Sequence, residues 1–189
     1  MKKNMYSILR TILVVTLCIV YVNCAAQLYF TKNGKISFFS STIMEDIKAD
    51  NNQVISIINT STGAMQFSLL NNAFRFKKAL MEEHFNADYI ESAKYPKSIF
   101  KGSVTNISSI NFNTDGVYKV SVSGSLSIHG ITKTVSVPGT VTIKSGKILA
   151  TSTFKIKVKD YNISIPAGVK NNIADDIELT VSCNYEKKS

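Results

Sequence analysis

The stretch from Val117 to Ile143 constrains the fold more than any other part of the chain. Tyr118, Val120, Val122, Leu126 and Ile128 alternate with Lys119, Ser121, Ser123, Ser125 and Ser127. Beyond Gly130 the pattern resumes, with Val135, Val137, Val141 and Ile143 set against Thr134, Ser136, Thr140 and Thr142. A period of two places successive side chains on opposite faces of a strand. One face is apolar and the other small and hydroxylated, which predicts antiparallel sheet with one dry side and one wet side. What such a chain does depends on what the dry side encloses.

Other segments carry the same signal between turn residues. Asn33-Gly34 precedes Ile36 and Phe38, Val54 to Ile58 is β-branched, and Gly63 precedes the alternating Met65, Phe67 and Leu69. Asp115-Gly116 predicts a hairpin between Ile110–Phe112 and the long strand, and Ser145-Gly146 a second one leading into 148–158. There Ala150, Phe154, Ile156 and Val158 share one face, and Lys155, Lys157 and Lys159 the other. Ile177 to Asn184 makes the last strand. The one helical signal is a short stretch over Lys77 to Phe85, rich in good helix formers. No helix is long enough to link parallel strands. About eight short antiparallel strands favour an all-β fold closed into a barrel, which removes sheet edges and encloses a volume that can hold one small ligand.

Residues 1–26 read as a secretory signal peptide, with Lys2 and Lys3, an apolar run from Ile12 to Val22, and small residues at Cys24-Ala25-Ala26. The run is shorter than the roughly 20 residues of a membrane-spanning helix. Cleavage after Ala26 leaves a 27–189 domain that is periplasmic or secreted; lipid attachment at Cys24 is the less favoured reading. The formal net charge is +9; Lys2, Lys3 and Arg10 carry three of these charges, leaving +6 on residues 27–189. Cys183 then has no partner for an internal disulfide, and its phase with Ile177, Leu179 and Val181 predicts a buried, inert thiol.

Three segments in order resemble the YceI family, the lipid- and polyisoprenoid-binding domain of exported bacterial proteins. The first is Met81-Glu82-Glu83-His84-Phe85, continuing through Tyr95-Pro96 to Phe100-Lys101-Gly102. The second is Gly124-Ser125-Leu126-Ser127-Ile128-His129-Gly130-Ile131-Thr132-Lys133, and the third runs from Phe154 through Asp160-Tyr161-Asn162-Ile163 to Ile177-Glu178-Leu179. The beginning departs from the family pattern. Typical members start with a strand containing Trp and His, and this chain has no Trp; Ile36-Ser37-Phe38-Phe39-Ser40 replaces it in shortened form. The resemblance implies a lipocalin-like antiparallel barrel of eight strands whose apolar interior holds a long isoprenoid chain.

A prenyl tail offers methyls and double bonds but no charge, so its site needs area and shape. Burial contributes roughly 0.8 kcal/mol per CH2. The candidate ligand-binding residues are Phe67, Phe74, Phe76, Leu80, Met81, Phe85, Phe100, Leu126, Ile128 and Phe154. The competing expectation is that these side chains simply fill the barrel, giving a ligand-free structural or interaction protein of the cell envelope.

His84 and His129 are the only histidines. Without an HExxH or CxxC spacing, no metal site is expected. His129 is expected to bond to backbone at its hairpin, and His84 to cap or pack the short helix, with a ligand headgroup as its alternative partner. Tyr95-Pro96 is expected to set an extended entry into the next strand. The lysine row at 155, 157 and 159 reads as a solvated face that could also make peripheral contact with anionic lipid headgroups. No Ser-His-Asp or Cys-His set, paired-carboxylate spacing or phosphate loop suggests an enzyme, no nucleic-acid-binding module is visible, and no cofactor is expected beyond an isoprenoid or quinone held as ligand. The Asn-x-Ser/Thr triplets at Asn59, Asn106 and Asn162 read as chance.

Overall fold

The alternating stretch forms two long antiparallel strands in a computed structural model that describes residues 27–188. These are β6 (Gly116–Ile128) and β7 (Ile131–Lys144), paired from Gly116↔Ile143 to Ile128↔Ile131. His129 and Gly130 join them, with φ of 50° and 75°. Positive φ at both central residues is the geometry whose twist matches the flanking strands. Ser145-Gly146 repeats it, with φ of 50° and 74°, and leads into β8 (Lys147–Lys157).

The remaining strands are β1 (Leu28–Ser41), β2 (Asp46–Asn59), β3 (Ala64–Leu70), the two-residue β4 (Arg75–Phe76), β5 (Lys97–Val104) and β9 (Asp176–Lys187). Hydrogen bonding runs β1-β9-β8-β7-β6-β5-β3-β2, and β2 returns to pair with β1. All the pairings are antiparallel, so eight strands close a barrel, and β4 is a short branch on β2 at Ala49↔Phe76 and Asp50↔Arg75. The one α-helix among the described residues, α1 (Ala79–His84), starts two residues later than expected and continues as a single π-helical turn over Phe85–Tyr89.

Two turn signals act differently from their sequence reading. Asn33-Gly34 makes no turn; the register of β1 against β2 shifts on both sides of Gly34, and the strand runs on as a bulge. The reason is close approach. A Cβ on Gly34 would lie 2.6 Å from Cys183 Sγ and 3.1 Å from the Val54 carbonyl. Asp115-Gly116 does not join two strands either. Ile110 and Phe112 belong to a connection that caps one end of the barrel, and their apolar spacing reflects side chains plugging that end. The Asp115 carboxylate accepts the Ser145 N–H at 2.8 Å, tying this connection to the β7–β8 hairpin.

The interior is packed most tightly at one end, and the cavity reaches down to that packing. At the base, Ile58, Met65, Val104, Ile110, Val120, Val141, Ile143, Ile148, Cys183 and Tyr185 pack as one cluster. Val141, Ile143 and Ile148 are 2–3% exposed there. Toward the other end, inward-facing Val135, Val137, Phe154 and Ile156 are only half-buried, because the barrel is hollow around them. That end carries the β1–β2 turn (42–45), the long 71–96 connection with α1, the His129-Gly130 hairpin and the 158–175 connection.

A buried polar pair crosses the base. Ser56 Oγ and Tyr185 Oη lie 2.6 Å apart, with the residues 1% and 3% exposed. Desolvation pushes the Tyr185 phenol well above its ordinary range, and the nearby Cys183 adds to this. Replacing Ser56 with Ala leaves the phenol unpaired in apolar surroundings and is expected to cost about 1–3 kcal/mol. Adding Tyr185→Phe removes the orphaned hydroxyl, so the double variant is expected to recover part of that loss in urea unfolding.

Candidate functional site

The hollow half of the barrel is a cavity of about 410 Å3, inside the roughly 300–1,000 Å3 range of small-molecule pockets. Its wall comes from alternate residues of the strands. Phe67, Phe100, Leu126, Ile128 and Phe154 face it, with Phe67 and Phe100 meeting edge to face at 6.2 Å. Gly102 and Gly124 sit opposite each other on β5 and β6. A Cβ on either would lie 2.6 or 2.7 Å from Phe100 Cζ. The paired glycines thus let the Phe100 ring lie against the wall and leave the lumen open.

The upper wall is aromatic. Phe38 of β1 stands among Phe74, Phe76 and Phe85, at centroid distances of 5.4, 5.6 and 5.5 Å. Phe74, Phe76, Met81 and Phe85 all border the cavity. Nine of the ten residues singled out from the sequence therefore surround one space.

Leu80 does not; it is 63% exposed and points to solvent. Adjacent helical residues lie about 100° apart, so Leu80 cannot share the face that Met81 and Phe85 present to the cavity. Sequence reasoning missed Phe38, the hub of the ring cluster, although its alternation with Ile36 was visible. It also missed Ile163, Ile165, Val169 and Ile173, which line the cavity from the 158–175 connection and carry no strand-like or helical period.

Few of the side chains that border this space are polar. Glu45 borders it and pairs with Lys78 at 2.8 Å. The Lys78 hydrogen bond, the largest influence, holds the Glu45 carboxyl below the usual range against desolvation, with the Lys78 charge and Asn172 adding to it. His84 borders the cavity, and its Nδ1 lies 2.7 Å from Asp88 Oδ2 one turn on. Glu82 accepts from Arg75 at 2.9 Å and from the Phe76 N–H at 3.2 Å, which fixes α1 to β4.

Buried polar side chains hold the connections over this end. His129 Nδ1 lies 3.1 Å from the Tyr161 carbonyl, the backbone contact expected of it, and Nε2 lies 2.6 Å from Glu91 Oε2. Its ring also stands edge-on to Tyr95 at 4.5 Å. Asn71, 1% exposed, donates to the Tyr95 carbonyl at 2.6 Å and accepts from Ser98 Oγ at 2.7 Å. Tyr95-Pro96 is thereby held in line with β5. Cys183 is fully buried in the base, and desolvation pushes its thiol up to about 11.

Among the described residues no group of three or more His, Cys, Asp or Glu side chains is placed to hold a metal. The lysine row lies on the exposed face, as expected: Lys157 stands opposite Asp176 with 3.9 Å between the charged groups, and Lys155 opposite Glu178 in the register.

Three solved structures share this architecture. A polyisoprenoid binding domain from Saccharophagus degradans superposes with a TM-score of 0.74 at 17% identity, covering 86% of this chain and 99% of its own. BcnA of Burkholderia cenocepacia gives 0.66 at 17% identity, over 81% and 96% of the two chains. The YCEI protein of Campylobacter jejuni gives 0.53 at 16% identity, over 72% and 81%. No curated protein matches the chain. The YceI-like domain model matches residues 24–185, and with the barrel and its one-sided cavity this places the chain in the YceI-like family.

Proposed function

We propose that this protein is an exported carrier that sequesters an isoprenoid or similar amphiphile inside the hollow half of its barrel. The observation that carries the reading is the cavity of about 410 Å3, walled mainly by aromatic and branched side chains with few polar groups. The phenylalanine rings, Met81, Leu126 and Ile128 would supply contact area, and a quinone or prenyl lipid suits such a wall. A member of the same fold is described as a polyisoprenoid binding domain, which supports the ligand class. The leader read over residues 1–26 supports a periplasmic or secreted location.

Protein purified from its own host is expected to show, in native mass spectrometry, a discrete added mass that is lost on denaturation and extracts as a prenyl lipid. Preparations consistently free of lipid, together with no uptake of a fluorescent prenyl probe, would overturn the reading in favour of a ligand-free envelope barrel.

A further inference from the structure

Large apolar side chains are exposed mainly at the cavity end of the barrel. Ile43 is fully exposed and Met44 is 66% exposed at the tip of the β1–β2 turn; Leu80 on α1 and Leu70 at the end of β3 are exposed at the same end. Among the described residues nothing covers Ile43.

The tip is nevertheless well built. Thr42 Oγ1 accepts the N–H groups of Met44 and Glu45 at 3.2 and 3.1 Å, and the Thr42 N–H donates to the Glu45 carbonyl at 3.1 Å. Lys78 clamps Glu45 toward α1, and Ser40 Oγ accepts the Ala174 N–H at 2.8 Å from the 158–175 connection. Much of the turn's backbone is thus satisfied internally, which lowers the cost of removing it from water. Exposed apolar side chains on a fixed turn mark an interaction surface.

The charge around this surface is close to balanced. The 42–45, 71–96 and 158–175 connections carry six basic and seven acidic side chains. Four of the acids have side-chain partners: Glu45 and Glu82 pair with Lys78 and Arg75, and Asp88 and Glu91 contact the His84 and His129 rings. The opposite end is basic instead, with Lys144 and Lys147 paired across the β7–β8 hairpin and Lys187 and Lys188 at the end of β9.

We propose that the β1–β2 tip and α1 seat the cavity end on a lipid bilayer, by insertion of Ile43, Met44 and Leu80 rather than by attraction to anionic headgroups. This rests on the carrier reading: an amphiphile that passes from bilayer to cavity through water exposes its chain at roughly 0.8 kcal/mol per CH2, and a seated opening avoids that. Interfacial binding follows buried apolar area, with anionic lipid adding only where basic charge faces the surface.

Flotation with vesicles of phosphatidylcholine, with and without added phosphatidylglycerol, tests this on the 27–189 chain. The protein is expected to float with both to a similar extent and to stay bound at high salt. Ile43→Asp/Met44→Asp is expected to weaken binding by roughly tenfold to a hundredfold with an unchanged thermal midpoint, whereas Lys144→Glu/Lys147→Glu leaves it unchanged. Binding that needs phosphatidylglycerol and is lost in the lysine variant would overturn the proposal in favour of the basic end. A concentration-dependent dimer abolished by the Asp variant would overturn it in favour of a second copy of the chain. Uptake of a fluorescent prenyl probe by the same preparations separates the two readings: uptake without flotation removes the docking surface and leaves the carrier, and absence of uptake removes the carrier itself.

Discussion

Val137→Phe is expected to lower affinity for a prenyl probe by roughly three orders of magnitude while leaving the unfolding midpoint nearly unchanged. Val137 faces the lumen from β7, opposite Val122 on β6, and is only half-buried because it borders open space. A phenyl ring there has room to enter. It would occupy space equivalent to about one five-carbon isoprenoid unit, and displacing that unit forfeits roughly 4 kcal/mol of burial. The matched control lies further along the same strand face. Ile143 is 2% exposed in the packed base and is not among the residues that border the cavity, so Ile143→Phe overfills it and should cost about 1–3 kcal/mol. A barrel filled throughout would make the two substitutions equally costly. Urea unfolding of both variants, read beside probe titration of Val137→Phe, therefore distinguishes a hollow barrel from a stuffed one through stability alone, before any natural ligand is known.

The two halves of the barrel were unequally legible in the sequence. Period-two alternation identified the β6 and β7 faces correctly, because a barrel strand has one side in the lumen and one in water along its whole length. The same alternation cannot tell a packed lumen from an empty one: Ile143 and Val137 share a face, and one lies in the packed base while the other borders the cavity. Turn chemistry was readable at Ser145-Gly146, where positive φ at both residues demands it. It misled at Asn33-Gly34, where glycine serves the approach of β1 to Cys183 rather than a reversal. Leu80 was grouped with its neighbours as an apolar run, yet helix phase turns it outward. The 158–175 connection gave no signal, since Ile163, Ile165, Val169 and Ile173 reach the cavity from irregular backbone, and only the positions of strands distant in sequence decide where they point.

Phe38→Ala is expected to cost about 3 kcal/mol and to loosen the cavity end selectively. Core Phe→Ala substitutions cost about 3–5 kcal/mol, and Phe38 falls at the lower end because its ring also borders the cavity. Its loss breaks three ring contacts at once, with Phe74, Phe76 and Phe85, each adding roughly 0.5–1.5 kcal/mol beyond area. Backbone pairing offers little substitute: β4 is two residues long and meets β2 at two positions. The 71–96 connection is therefore held over the lumen largely by side-chain packing, by Asn71 and by the Glu91–His129 contact. In Phe38→Ala, amides from 74 to 90 are expected to exchange with deuterium much faster, while those of β6 and β7 near the base keep their protection relative to the lowered global stability. Phe38→Leu should retain most of the apolar contact and show a smaller effect. Uniform loss of protection in Phe38→Ala would mean that the rings stabilise the whole barrel instead. The prediction then bears on function directly: the same four rings border the cavity, and loosening them is expected to speed probe uptake and release together.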